Sequence, residues 1–129
     1  MSETKKKILV VDDEPDVLKY LETIFLDNGF DVITATNGKE CFVEANEEKP
    51  DLITLDISMP SESGVRAFRD LQENAETREI PVIIITGISN EFKRFISTRK
   101  QVTPPIDYFE KPIDREALLE SVRKILKMD

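Results

Sequence analysis

Ile8, Leu9, Val10 and Val11 form a continuous apolar run only four residues long, mostly β-branched, set between lysines and the acidic pair Asp12-Asp13. Such a run reads as a strand buried on both faces: a half-exposed strand would alternate polar with apolar, and a buried helix would need a longer stretch. Helical periodicity follows at once. Pro15 suits a first helical turn, and Val17, Leu18, Leu21, Ile24 and Phe25 recur at three- and four-residue spacing until Asn28-Gly29 supplies a stop. The alternation then repeats, with strands predicted over 31–35, 52–55, 82–85 and 107–109 and helices around 38–48 and 64–74. A fourth helix, capped by Ser89 or Asn90, carries Phe92, Phe95 and Ile96 on one face, and a fifth runs over 114–127 with Leu118, Val122 and Ile125 inward.

Five strands alternating with five helices imply an α/β fold, in which parallel strands are joined by right-handed crossovers and helices cover both faces of the sheet. The strand order expected for this alternation is the flavodoxin-like, doubly wound 2-1-3-4-5. The 129 residues read as one domain over 1–129, since nothing resembling a linker or repeat interrupts the series. With 40% hydrophobic and 34% charged residues there is enough apolar material for a core.

Charge and rare residues exclude several functions. A net charge of -8 argues against direct binding to nucleic acid or anionic membrane. The chain has no histidine and a single cysteine, Cys41, so an internal disulfide, a Cys/His zinc site and a histidine-based triad are all excluded. Cys41 has no motif around it and reads as packing. The first apolar run is too short for a signal peptide or a membrane span, which gives a cytoplasmic expectation.

Open α/β sheets place their sites at the carboxyl ends of the strands. Asp12 and Asp13 follow the first strand, Asp56 the third, Thr86 the fourth and Lys111 the fifth. Taken singly each has an ordinary reading: the acid pair as a helix cap, Asp56 as a turn residue, Thr86 as a loop threonine, Lys111 as a solvated charge. Their coincidence on one sheet edge favours chemistry. If the first and third strands are neighbours, three carboxylates converge and call for a cation, and an all-oxygen ligand set favours Mg²⁺ or Mn²⁺. Lys111 and Thr86 then complete a receptor for a PO₃ group, with Asp56, alone at the end of a central strand, as the nucleophile.

These residues and their spacing resemble the receiver domain of two-component response regulators over nearly the whole chain. The matching pieces are Val10-Val11-Asp12-Asp13-Glu14, Leu55-Asp56-Ile57-Ser58-Met59-Pro60 with Gly64, Ile85-Thr86-Gly87, and Tyr108-Phe109-Glu110-Lys111-Pro112. The resemblance implies phosphoryl transfer to Asp56 from a phosphohistidine on a histidine kinase or histidine phosphotransfer protein. It also implies Mg²⁺ held by Asp13, Asp56 and the Ser58 backbone carbonyl, with Asp12 assisting through a water. Thr86 and Lys111 would each bond a phosphoryl oxygen, Tyr108 would turn inward on activation, and the Lys111-Pro112 peptide would be cis. The consequence is a phosphoryl acceptor rather than a conventional enzyme, whose fourth helix, fifth strand and fifth helix form a switched surface for a downstream protein or a phosphorylation-dependent dimer.

The chain departs from the family between Thr86 and Lys111, which is longer than usual, lacks a Gly-Ala pair and contains Pro104-Pro105. Lys93, Arg94, Arg99 and Lys100 make a basic stretch there, which as a docking site would suit an acidic partner. Ile88, two residues past Thr86, cannot orient an attacking water, which predicts slow self-dephosphorylation. Two rivals remain: a receiver-shaped interaction module that is never phosphorylated, and a small Mg²⁺-dependent phosphohydrolase. The intact acidic and basic set counts against the first. The second would normally place an acid two residues beyond its nucleophile, where this chain has Ser58.

Overall fold

The structure, a computed structural model, describes residues 5–57, 63–86 and 107–128, with the side chains of 63–65 and 86 left out. Its elements follow the predicted alternation: β1 (Lys7–Val11), α1 (Pro15–Asp27), β2 (Asp31–Ala35), α2 (Gly38–Glu48), β3 (Leu52–Asp56), α3 (Ser63–Glu73), β4 (Val82–Thr86), β5 (Asp107–Glu110) and α4 (Arg115–Ile125). All strands pair in parallel in the order β2-β1-β3-β4-β5, as predicted. The predicted helix over Phe92, Phe95 and Ile96, the basic stretch from Lys93 to Lys100, Ser58 and Ile88 lie outside the described residues. Thus α4 is the last of the predicted helices.

Strand period sorts the core into two layers. Ile8 and Val10 of β1 pack with Leu21, Ile24 and Phe25 of α1 and Leu118, Leu119 and Val122 of α4, while Leu9 and Val11 pack with Cys41 and Ala45 of α2 and Phe68 and Leu71 of α3. Burying each such large apolar side chain contributes about 1.5–3 kcal/mol. Burial on both faces is what the continuous apolar runs demanded.

Helix ends follow local chemistry. Pro15 opens α1, where its missing N–H costs nothing. At the other end Gly29 takes φ +88°, the Gly29 N–H donates to the Leu26 carbonyl and the Phe30 N–H to the Phe25 carbonyl at 3.0 Å. This Schellman closure stacks Phe30 edge-on against Phe25, ring centroids 5.8 Å apart. In α2 Asn37 caps the Glu40 N–H at 2.8 Å, and Glu40 reaches back to the Thr36 N–H at 2.7 Å.

Some predicted boundaries move. Asp56 is the last residue of β3 rather than the first beyond it. Asn74 leaves α3 because its side-chain amide donates to Asn46 Oδ1 of α2 at 2.9 Å and its carbonyl receives the Thr77 N–H. Asp114 stands before α4 as its cap, accepting from the Ala117 N–H, and the helix ends at Ile125 short of the predicted 127. Leu119, not singled out in the sequence, is buried, whereas Ile125 is only partly so.

Candidate functional site

Adjacency of β1 and β3 builds the site. Their register pairs Val11 with Leu55, so the next residues, Asp12 and Asp56, come side by side at the carboxyl edge. The Asp12 N–H donates to the Ala35 carbonyl at 3.1 Å, prolonging the pairing with β2 by one residue. Its Oδ1 then accepts the Glu14 N–H at 2.9 Å, an Asx turn that swings the chain from strand into α1. As a result Asp12 is buried while its neighbour Asp13 is exposed.

Lys111 follows β5, and its peptide to Pro112 is cis. Its side chain reaches back over the sheet edge to place Nζ 2.8 Å from Glu14 Oε1, 3.2 Å from Asp56 Oδ2 and 3.1 Å from Asp12 Oδ2. The first two are aligned hydrogen bonds. The third is an ion-pair contact without that alignment, which leaves Asp12 Oδ2 buried and lacking a hydrogen-bond donor. Burial, reinforced by the Asp56 charge, pushes the Asp12 carboxyl up to about 6 from 3.8, against the opposing pull of the Glu14 N–H and Lys111. Burial alone would lower the Lys111 pKa. The Glu14 hydrogen bond and the Asp56 and Asp12 carboxylates outweigh it and hold the ammonium above its ordinary range.

One carboxylate oxygen each from Asp12, Asp13, Glu14 and Asp56 lies within 4.8 Å of the others. One ammonium cannot neutralise four carboxylates. The surplus negative charge, the all-oxygen donor set and the orphaned Asp12 Oδ2 together fit a hard divalent cation. Glu14 was absent from the sequence-predicted site. Its signal was that it is the third consecutive acid at a strand end, but whether it turns toward Lys111 depends on the fold.

Asp12, Asp13, Asp56 and Lys111 are thus brought together as expected. Thr86 ends β4, in register with Glu110 and next to Ile85, the partner of Asp56. Its side chain and the Ser58 carbonyl fall outside the described atoms. Tyr108 is half-buried against the layer of α2 and α3, and its hydroxyl donates to Glu110 Oε1 at 3.4 Å near the surface. Among the described residues no helix is long and apolar enough to cross a membrane.

Comparison with known proteins points in one direction. A family model described as the response regulator receiver domain matches residues 8–123. Protein PilH of Pseudomonas aeruginosa is 38% identical over 120 residues, covering 93% of this chain and 97% of PilH. The alkaline phosphatase synthesis transcriptional regulatory protein PhoP of Bacillus subtilis is 34% identical over 122 residues, which span 95% of this chain but only 49% of PhoP. Among solved structures, a CheY-like response regulator receiver domain protein from Methanospirillum hungatei superposes with a TM-score of 0.83 at 25% identity, covering 96% of this chain and 95% of that one. Chemotaxis protein CheY4 of Vibrio cholerae gives 0.82 at 25% identity, covering 95% and 99%.

Proposed function

The chain belongs to the response regulator receiver domain family, and from that premise we propose that Asp56 accepts a phosphoryl group from a phosphohistidine on a histidine kinase or histidine phosphotransfer protein. An Asp56 carboxylate oxygen attacks phosphorus, the nitrogen–phosphorus bond breaks with its electron pair returning to the donor imidazole, and the imidazole takes up a proton. An acyl phosphate on Asp56 results. The observation that carries this reading is the Lys111 ammonium held 3.2 Å from the buried Asp56 carboxylate, beside a cluster of three further acids.

Asp12, Asp13 and Asp56, with the Ser58 backbone carbonyl, would hold Mg²⁺ or Mn²⁺, which when bound supplies positive charge to the phosphoryl oxygens. Lys111 pairs with one phosphoryl oxygen and Thr86 donates its hydroxyl to another. Phosphorylation replaces one negative charge by about -1.5 to -2, drawing both groups toward Asp56. Tyr108 then leaves Glu110 and turns inward, which alters the surface of β5, α4 and the segment before β5. That surface would meet a downstream protein target or a second phosphorylated copy. On this reading residues 1–129 are one cytoplasmic signalling domain that assists its own phosphorylation and dephosphorylation, with no direct role on nucleic acid or membrane.

Incubation with Mg²⁺ and acetyl phosphate followed by intact-mass measurement tests the proposal. It expects one added phosphoryl group, lost in Asp56→Asn and with chelator. No adduct would leave an interaction module that is never phosphorylated, and sustained phosphate release from many esters would instead indicate a phosphohydrolase.

A further inference from the structure

The Lys111 ammonium, with three N–H donors, lies among three carboxylates: it hydrogen-bonds Glu14 at 2.8 Å and Asp56 at 3.2 Å, and makes an ion-pair contact with Asp12 at 3.1 Å. These partners differ in what their release would cost. Asp12 and Asp56 are each 1% exposed, so neither can exchange Lys111 for bulk water. Glu14 has a side chain 60% exposed and loses little when it swings into solvent. Of the three, Glu14 is therefore the partner that an anion arriving on Asp56 most easily displaces from Lys111.

We propose that Glu14 is a latch on Lys111, a positioning residue that occupies the ammonium before phosphorylation and competes with the phosphoryl oxygens for it afterwards. This deepens the receiver reading above and rests on it. Glu14 closes the shortest of the three contacts and is the one solvent-exposed carboxylate among them. Without it Lys111 stays anchored by Asp12 and Asp56 and keeps a free N–H for the ligand. Glu14 thus lowers the affinity of the site for a phosphoryl-like anion and helps return the switch to its resting state.

The probe is beryllium fluoride, which mimics a phosphoryl group on a carboxylate, titrated with saturating Mg²⁺ into the wild type, Glu14→Gln, Lys111→Met and the double variant. Glu14→Gln is expected to bind about three- to five-fold tighter, the scale of one partly exposed ion pair, with little change in thermal midpoint. The gain should largely disappear in the Lys111→Met background, which separates loss of the latch from removal of a nearby negative charge. Equal affinity of wild type and Glu14→Gln, or an equal gain with and without Lys111, overturns the latch while leaving the receiver reading intact. A Glu14→Gln variant whose Mg²⁺ affinity falls about ten-fold or more overturns it too, because Glu14 would then be a metal ligand. No Mg²⁺-dependent binding by the wild type overturns the receiver reading and the latch with it.

Discussion

The Lys111 ammonium lies 3.1 Å from Asp12 Oδ2 without the alignment of a hydrogen bond, so a buried carboxylate is countered by charge yet remains one donor short. Asp12 is therefore held at a cost to folding, and its pKa records that cost.

With its native pKa pushed up to about 6 from 3.8, Asp12 binds a proton more readily folded than unfolded. Its contribution to stability is full below 3.8 and is lost as pH rises through about 6. In metal-free buffer Asp12→Asn should be more stable than the wild type at pH 7.5 by about 1–3 kcal/mol, the gap closing as pH falls from 6 toward 4. Urea unfolding with chelator across that range measures it; a gap independent of pH would refute the account. Added Mg²⁺ should stabilise the wild type more than the variant.

Removing Lys111 leaves buried Asp12 and Asp56 without their cation. Lys111→Met should cost about 2–4 kcal/mol in metal-free buffer at neutral pH, with Mg²⁺ restoring part of it. Because the Lys111 pKa is raised above 10.5, its contribution is full below that value and is lost only as pH rises through the higher native pKa. The cost should be largest well above the Asp12 titration and shrink as pH falls through it, because protonation relieves the carboxylate left without its cation. A denaturation midpoint equal to wild type would contradict the ion cluster.

Cys41 is fully buried in the layer under α2, and that burial pushes its thiol up to about 12. The folded protein should react with a disulfide reagent at pH 8 only at the rate at which it unfolds, and quantitatively in strong denaturant. Rapid labelling of the native protein would show the site to be open.

Gly29 tests the end of α1. Its φ of +88° is one that L side chains rarely adopt, yet a Cβ there would meet nothing within 4 Å. Gly29→Ala should cost about 1–2 kcal/mol from conformation alone. Gly29→Asn should cost less, because asparagine tolerates the left-handed region better than alanine does. Equal costs for the two variants would point to steric crowding instead.

Much of this molecule is legible in one dimension. Apolar runs too short for helices and too continuous for half-exposed strands determine the alternation of elements, and the polar residues after each run name Asp12, Asp13, Asp56 and Lys111 as neighbours at one edge. Those readings survive because they depend on period and on turn chemistry, which are local. Glu14, Leu119 and the end of α4 were not legible, because each depends on what packs against it.

What the sequence by itself determined is therefore the order of elements and the chemical inventory of the sheet edge. Only the tertiary structure decided that Asp12 faces inward while adjacent Asp13 faces solvent, and that Lys111 bridges Glu14 and Asp56 across separations of 97 and 55 residues. The reason is physical. Side-chain direction at a strand end is set by the turn that leaves it, and ion pairs so distant in sequence exist only after the crossover connections have seated β1, β3, β4 and β5 side by side.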